Sequence, residues 1–359
     1  MPTRSRSRKN LRTLSASPWS SRVALTGTTK PQDGIVTAMD SKNRQWVVLR
    51  DSMGQPSFGL MYTLRRLKRD WRPALPLVTS SSAEYPAFAI APDDVKVVVW
   101  QQPVNGVKRI GYMEFRTTPG EFIHLPNEKR LLDAYPDVTV GADGTRHVVW
   151  SRAGKIVHGT SSNGIDWNIA PVTRDTVNVF PSVAIDDAAG VIHLVYVKTP
   201  GNAIQYQRRA LNAGEWETRR TLGSGKDPNV VARNGKVLVS WGNSDNNRQM
   251  AFRVFENDAW GQTIYSGHAF PGYRPHGAID SRGNAHLIWM QSTDNRNAYS
   301  IYYSDSNNGQ WSAPQPFETG ARFCEANDLV VDRNDKLHTV YQEMLNNTFI
   351  AYSTDRALV

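Results

Sequence analysis

One cysteine, Cys324, is all the chain contains, so an internal disulfide and any thiolate cage for zinc or an iron–sulfur cluster are excluded. Long apolar runs are missing too. Stretches such as Val97-Val98-Val99-Trp100 end after about four to six residues, far below the roughly 20 of a membrane-spanning helix. No apolar signal-peptide core follows the basic start, so a soluble protein is expected, its compartment left open. The chain has no helical periodicity of useful length, no His-Glu-x-x-His, no EF-hand loop and no nucleophile elbow. Gly223-Ser-Gly-Lys226 is followed by Asp227 where a phosphate loop needs Ser or Thr, and no helix is predicted there to receive a phosphate. No cofactor and no metal are expected.

Acid is scarce, 33 Asp+Glu against 42 Lys+Arg, but the net charge of +9 is not spread evenly. Arg4, Arg6, Arg8, Lys9 and Arg12 lie in a start without acid, which leaves +4 on the remainder. Residues 1–17 therefore read as a basic, flexible arm able to touch a polyanion. Residues 18–359 read as a single domain, since 40% hydrophobic residues over this length can bury a large core.

What the chain has in abundance is self-similarity. Phe180-Pro-Ser-Val-Ala-Ile-Asp186 with His193-Leu-Val-Tyr196 recurs as Tyr273-Arg-Pro-His-Gly-Ala-Ile-Asp280 with His286-Leu-Ile-Trp289. Tyr135-Pro-Asp-Val-Thr-Val140 with His147-Val-Val-Trp150, and Tyr85-Pro-Ala-Phe-Ala-Ile90 with Val97-Val-Val-Trp100, are further copies. Weaker ones begin at Gly34, Asp227 and Asn327. From Leu49 through Trp100, Trp150, Tyr196, Trp241 and Trp289 to Tyr341 the steps are 51, 50, 46, 45, 48 and 52 residues, near the roughly 40–50 of a four-stranded propeller blade. Each unit holds four short β-rich runs, in the fourth Pro181–Ile185, Ile192–Val197, Ala203–Arg208 and Trp216–Leu222. The expected fold is all-β, a seven-bladed β-propeller of four-stranded antiparallel blades. The seventh unit stops one strand early, near Ser353, while Trp19–Leu25 looks like an orphan outer strand. Residues 18–30 are thus predicted to pair against 325–353 and close the ring.

The turn before the outer strand carries a second signature, Ser161-Ser-Asn-Gly164-Ile-Asp-Trp167 and Ser304-Asp-Ser-Asn-Asn-Gly309-Gln-Trp311, with shorter relatives ending at Trp216 and Trp260. It resembles the Asp-box, or bacterial neuraminidase repeat, Ser-x-Asp-x-Gly-x-Thr-Trp, of sialidase-like propellers, with Asn163 and Ser306 at the third place. The pattern predicts polar side chains bonding the hairpin's own amides, Gly at positive φ, and Trp between blades. WD40 and kelch signatures are absent, and the NHL-like first half lacks an NHL-like second half. In a sialidase-like hydrolase three Arg would grip a carboxylate, a Tyr activated by Glu would attack, and an Asp would be the acid. The family's Arg-Ile-Pro element is replaced by Pro31-Gln-Asp-Gly-Ile-Val, and three arginines find no match.

The recurring His147, His193, His286 and His338 come one per unit, so a ring would hold them apart; a structural role against a neighbouring blade's backbone is expected. Function is sought at the funnel, on the loops into each first strand and those between second and third strands. There Tyr273, Arg274, His276, Arg248, Asp227 and Asp328 are the expected ligand-binding residues, rings to stack on sugar faces and charged groups to bond hydroxyls or carboxylates. Tyr273, His276 and Asp227 are the candidates should the site be catalytic. At the place where other units carry Asp137 or Ser182 the sixth has His276, read here as a functional departure. The main reading is a recognition module for a glycan, polyanion or protein; the alternative is a glycoside hydrolase or uronate lyase using the same funnel.

Overall fold

The structure is a computed structural model that describes residues 19–25, 34–51, 59–65, 70–79, 82–127, 129–243, 249–268, 270–293, 299–307, 309–316, 324–345 and 348–357. Among them every regular element is a β-strand and every strand pair is antiparallel. The basic arm, the turn residue Asn308, and the Pro31-Gln-Asp segment lie outside these residues.

Alternation and short turns make each repeat a meander. The first unit is a four-stranded sheet of Ile35–Met39, Gln45–Asp51, Gly59–Arg65 and Leu75–Val78; the second and third units form two more of the same order. Units four and five share an eight-stranded sheet because Arg220–Arg233 serves both, as the last strand of one and the first of the next. This corrects the expected outer strand Trp216–Leu222: the strand starts at Arg220, and Trp216 stands in the turn before it. Unit six, from Gly272, splits its outer strand into Gln310–Trp311 and Gln315–Pro316.

The last sheet contains strands from both ends of the chain. Cys324–Val331, Lys336–Leu345 and Thr348–Ala357 are completed by Val23–Ala24, with Val23 opposite Ser353 and Ala24 opposite Tyr352. The carboxyl-terminal strand reaches Ala357, beyond the expected Ser353. Ser20 N donates to the Asp355 carbonyl at 2.8 Å, Asp355 N donates to Ser20 Oγ at 3.0 Å, and Thr354 Oγ1 donates to the Ser20 carbonyl at 2.7 Å. First strands also touch in succession. Those starting at Ile35, Glu84, Asp133, Asn178, Gly225, Gly272 and Cys324 each contact the next, and the seventh contacts the first.

Two tryptophan positions hold the sheets against one another. Trp100, Trp150, Trp241 and Trp289, on second strands, are fully buried, as are Tyr196 and Tyr341 at the same place. Trp100 lies over its cross-strand partner Gly111, where a Cβ would come within 2.3 Å of the indole, so only glycine fits. The second position is the turn before the outer strand. Trp167, Trp216, Trp260 and Trp311 meet Tyr112, His158, Tyr206 and Phe252 at 4.8, 5.6, 4.9 and 4.2 Å, each on the third strand of the preceding unit. Trp19 does the same for the last sheet, meeting Tyr303 edge-on at 5.3 Å. In the turn at Trp167, Ser161 Oγ accepts from Gly164 N, and Asn163 Oδ1 accepts from Ile165 N and Asp166 N, all at 2.9 Å, with Gly164 at φ 74°.

The turn tryptophans are only half-buried, which separates the two positions energetically. Trp150→Ala is expected to cost about 3–5 kcal/mol in urea unfolding and Trp167→Ala clearly less; equal losses would refute the distinction. Removing residues 1–25 should lower the melting temperature of the whole protein, because Trp19, Leu25 and the pairing strand go with it, whereas removing residues 1–17 should leave it unchanged. Calorimetry of the two truncations checks this.

Candidate functional site

Five units enter their first strand through an X-Pro pair: Tyr85-Pro86, Tyr135-Pro136, Phe180-Pro181, Asp227-Pro228 and Arg274-Pro275. The residue before each proline is left-handed, with φ of 50°, 56°, 52°, 49° and 48°. Each pair falls inside a break in strand register, as between Ala134 and Asp137 or Tyr273 and His276. Proline has no N–H to give the ladder, so the extra residue is accommodated as a β-bulge. A side chain in the left-handed region costs about 1–2 kcal/mol, and five such residues stand at one structural position.

The bulges bring the residues on both sides of the proline to one cavity of about 540 Å³, to which the first strands of all seven units contribute. Before the proline stand Tyr85, Tyr135 and Phe180, then Asp227 and Arg274. Tyr85 meets Tyr135 edge-to-face at 5.1 Å, and Phe180 lies 4.0 Å from Tyr135 at a 37° tilt. Three consecutive units thus give the cavity an aromatic wall, and the next three give it Asp227, Arg274, His276 and Asp328.

The residue after the proline has a second task. Asp137 Oδ2 accepts from Val183 N at 2.8 Å, Ser182 Oγ from Val230 N at 3.3 Å, and Asn229 Oδ1 from Gly277 N at 3.0 Å. In the seventh unit, where Asn327 precedes it instead of a proline, Asp328 Oδ2 accepts from Thr37 N at 2.7 Å. Each side chain ties its own first strand to the amide of the next one. In the sixth unit His276 Nδ1 lies 3.0 Å from Asp328 Oδ1, which also accepts from Leu329 N at 2.8 Å. His276, read from the sequence as a functional departure, occupies the same stapling position, and its partner is a carboxylate instead of an amide. That contact orients the imidazole and leaves Nε2 as its other polar atom. Burial pushes the Asp137 carboxyl up from its ordinary range, opposed by the amides of Val183 and Val138, the Ser182 hydroxyl and the charge of His276.

Asp227, Arg274, His276 and Asp328 share the cavity, but Tyr273 does not line it. Tyr273 lies before the bulge and packs with Tyr299, 5.9 Å away, against the core around Ile288 and Tyr303. Arg248 falls outside the described residues. Gln101 and Gln291, each just after its second-strand tryptophan, are buried bracing groups: Gln101 Oε1 accepts from Tyr135 N at 2.9 Å and Gln291 Nε2 donates to the Phe270 carbonyl at 2.6 Å. Phe180 escaped the sequence reading, although its place before Pro181 equates it with Tyr85 and Tyr135.

The four repeat histidines bond side chains of the adjacent third strand, not a neighbouring backbone. His147 Nδ1 lies 3.1 Å from His158 Nε2, His193 Nδ1 2.7 Å from the Tyr206 hydroxyl, and His286 Nδ1 2.8 Å from the Tyr303 hydroxyl. His338 sits between Asp332 and Asp355, at 3.1 and 3.0 Å. No group of three or more His, Cys, Asp or Glu able to hold a metal occurs among the described residues.

No protein-family model matches the chain, and no curated protein matches it. Solved structures do. An ulvan lyase of polysaccharide lyase family 25, bound to -[GlcA(1-4)Rha3S]-, is similar with a TM-score of 0.56 at 13% identity over 75% of this chain and 79% of that one. The Trypanosoma rangeli sialidase gives 0.57 at 9% identity, covering 93% of this chain and 59% of that one. A Dyadobacter fermentans protein of unknown function gives 0.56 at 9% identity over 94% and 99%. At such identities the likeness concerns the fold: the chain has an all-β fold of the kind seen in sialidases and this polysaccharide lyase.

Two measurements probe the frame around the cavity. Burial drives His147 and His193 down to about 4, helped by Arg209 and Arg208 respectively and opposed by Asp143 and Asp186. Because these folded values lie below the unfolded 6.5, their contribution is complete above pH 6.5 and is lost as pH falls toward 4. His338 is the opposite case: burial lowers it, its two aspartates outweigh burial, and its net raised value favours folding below pH 6.5. Urea stability should therefore drop between pH 7 and pH 5, and less steeply in His193→Gln; a flat profile would overturn this. Asp328→Ala, which orphans the amide of Thr37, should cost about 1–3 kcal/mol, with Asp328→Asn losing less.

Proposed function

We propose that residues 18–359 form one seven-bladed propeller, closed by the 19–25 segment in the last blade, that binds a glycan in the cavity where the seven first strands meet. The cyclic succession of first-strand contacts supports the ring, as does the position of Trp19, which repeats that of the four Asp-box-like tryptophans. The observation that carries the glycan reading is the division of the cavity wall. Tyr85, Tyr135 and Phe180 form one arc, and Asp227, Arg274, His276 and Asp328 supply polar groups from the following units. Pyranose rings have apolar faces that stack on aromatics and equatorial hydroxyls that need directed partners, so a wall divided in this way suits them.

The reading is of a recognition module. The side chains after the prolines are committed to neighbouring strands, and Tyr273, the expected partner of His276 in proton transfer, packs away from the cavity. One observation favours a second reading: the His276–Asp328 pair holds an imidazole in fixed orientation within the cavity, the arrangement a general base needs. Contact of the arm around Arg4–Arg12 with a polyanion, and of the funnel with a protein, remain proposals of the charge pattern alone.

A glycan array followed by incubation of each hit and product analysis separates these readings. Binding without cleavage, weakened about tenfold or more in Tyr135→Ala and in Arg274→Ala, with melting temperatures retained, is the expected result. Cleavage that disappears in His276→Ala would establish the enzyme instead. Absence of any hit would end the glycan reading.

A further inference from the structure

The charges around the cavity say what kind of glycan it takes. Of the side chains lining it, Asp137, Asp227 and Asp328 carry carboxylates and Arg274 a guanidinium; His276 is the remaining titratable group apart from the tyrosines. Three acids face one permanent base. With His276 protonated the balance is still negative, and with Asp137 discounted because it is held by the amides of Val138 and Val183, two carboxylates still outnumber Arg274 while His276 is neutral. Asn327 also lines the cavity; its buried Oδ1 accepts no hydrogen bond among the described residues, while its Nδ2 donates to the Arg274 carbonyl at 3.1 Å. The orphan oxygen adds partial negative charge on the same side. The remaining polar side chains of the lining, Thr37, Ser182, Asn229 and the two tyrosines, are neutral.

A concave site with low-dielectric walls focuses the field of its charges, and a like charge brought into it is opposed far more strongly than on an open surface. We propose that the cavity selects a glycan carrying hydroxyl or ammonium groups, an uncharged or amino sugar, and discriminates against uronates, sialic acid and sulfated sugars. The proposal rests on the glycan reading above and sharpens it. It also sets this chain apart from the uronate-containing, sulfated ligand named for the structurally similar ulvan lyase. A carboxylated sugar could engage Arg274 only beside Asp227, its counterpart at the preceding bulge, and Asp328, which holds His276. An ammonium group meets the same acids as partners.

Tetrasaccharides of β-1,4-linked glucose, glucosamine and glucuronic acid serve as a matched series. Their affinities for the full chain are measured by titration calorimetry at one ionic strength. The order expected is amino sugar first, neutral sugar next and uronate last, with about tenfold or more between the ends. Asp227→Asn should narrow that interval, and added salt should narrow it as well. A uronate bound as tightly as the others, or more tightly, overturns the inference while leaving the glycan reading standing. Failure of all three, together with an array free of hits, removes the glycan reading itself and the inference with it. Should Asp227→Asn melt early, Asp227→Glu, which keeps the charge, must retain the parental order; a reversed order would count against the proposal.

Discussion

The proline-centred bulge is the constraint on which the rest depends. A first strand that alternated regularly would send successive side chains to opposite faces. The extra residue at Tyr85, Tyr135, Phe180, Asp227 and Arg274 breaks that alternation, so the residue before each proline, the proline itself and the residue after it all line the same cavity. The first of them is then open to vary, and the last bonds the adjoining strand. Cavity wall and inter-strand cohesion thus come from a single backbone irregularity. The left-handed conformation it demands is unfavourable for aromatic and charged residues, and it survives because the ladder on one side and the proline on the other leave no alternative.

Much of this architecture is legible in the chain, because periodic features leave periodic marks. The step between second-strand aromatics locates the repeat units, and those aromatics prove to be the largest fully buried side chains among the described residues. The strand displaced to the amino-terminal end is equally readable, since a unit one strand short at one end of the chain calls for the unpaired strand at the other. Side-chain partners are less legible. The histidines invite a guess about backbone contacts, whereas their true partners, Tyr206, Tyr303, His158 and Asp355, stand 11 to 17 residues away across a hairpin, a distance that depends on register. The turn tryptophans conform in position but not in depth. They cap the joint between neighbouring sheets and keep part of the ring toward solvent, as a residue at an outer edge must.

The site shows the same limit from another side. Tyr273, Arg274 and His276 are close in sequence, yet Tyr273 packs into the core while the other two reach the cavity. Neighbouring residues of a strand face opposite ways, so proximity in sequence does not by itself put two side chains at one site. Aligning the units on their prolines, instead of on the aromatic that begins the motif, puts Arg274 in the column of Tyr85, Tyr135 and Phe180, just as His276 already stands in that of Asp137 and Ser182. The second column then reads as a row of staples and the first as the variable wall.

The distribution of charge makes the final link between frame and ligand. A net charge of +9 suggests an affinity for anions when taken as a whole, but a sum over the chain places no charge anywhere. The cationic excess belongs in large part to residues 4–12, while the cavity gathers carboxylates. Two of those carboxyl groups have a structural origin. The position after the proline supplies an acceptor for the next strand's amide, and Asp137, Ser182 and Asn229 all do so. Asp328, at the equivalent place of the proline-free seventh unit, does the same for Thr37, so holding the sheets together brings acid to the cavity wall. On the proposed reading, ligand selection and cohesion are coupled at these residues, so an anion-binding relative of this fold would have to staple its strands with neutral acceptors or surround its acids with more base than Arg274 provides.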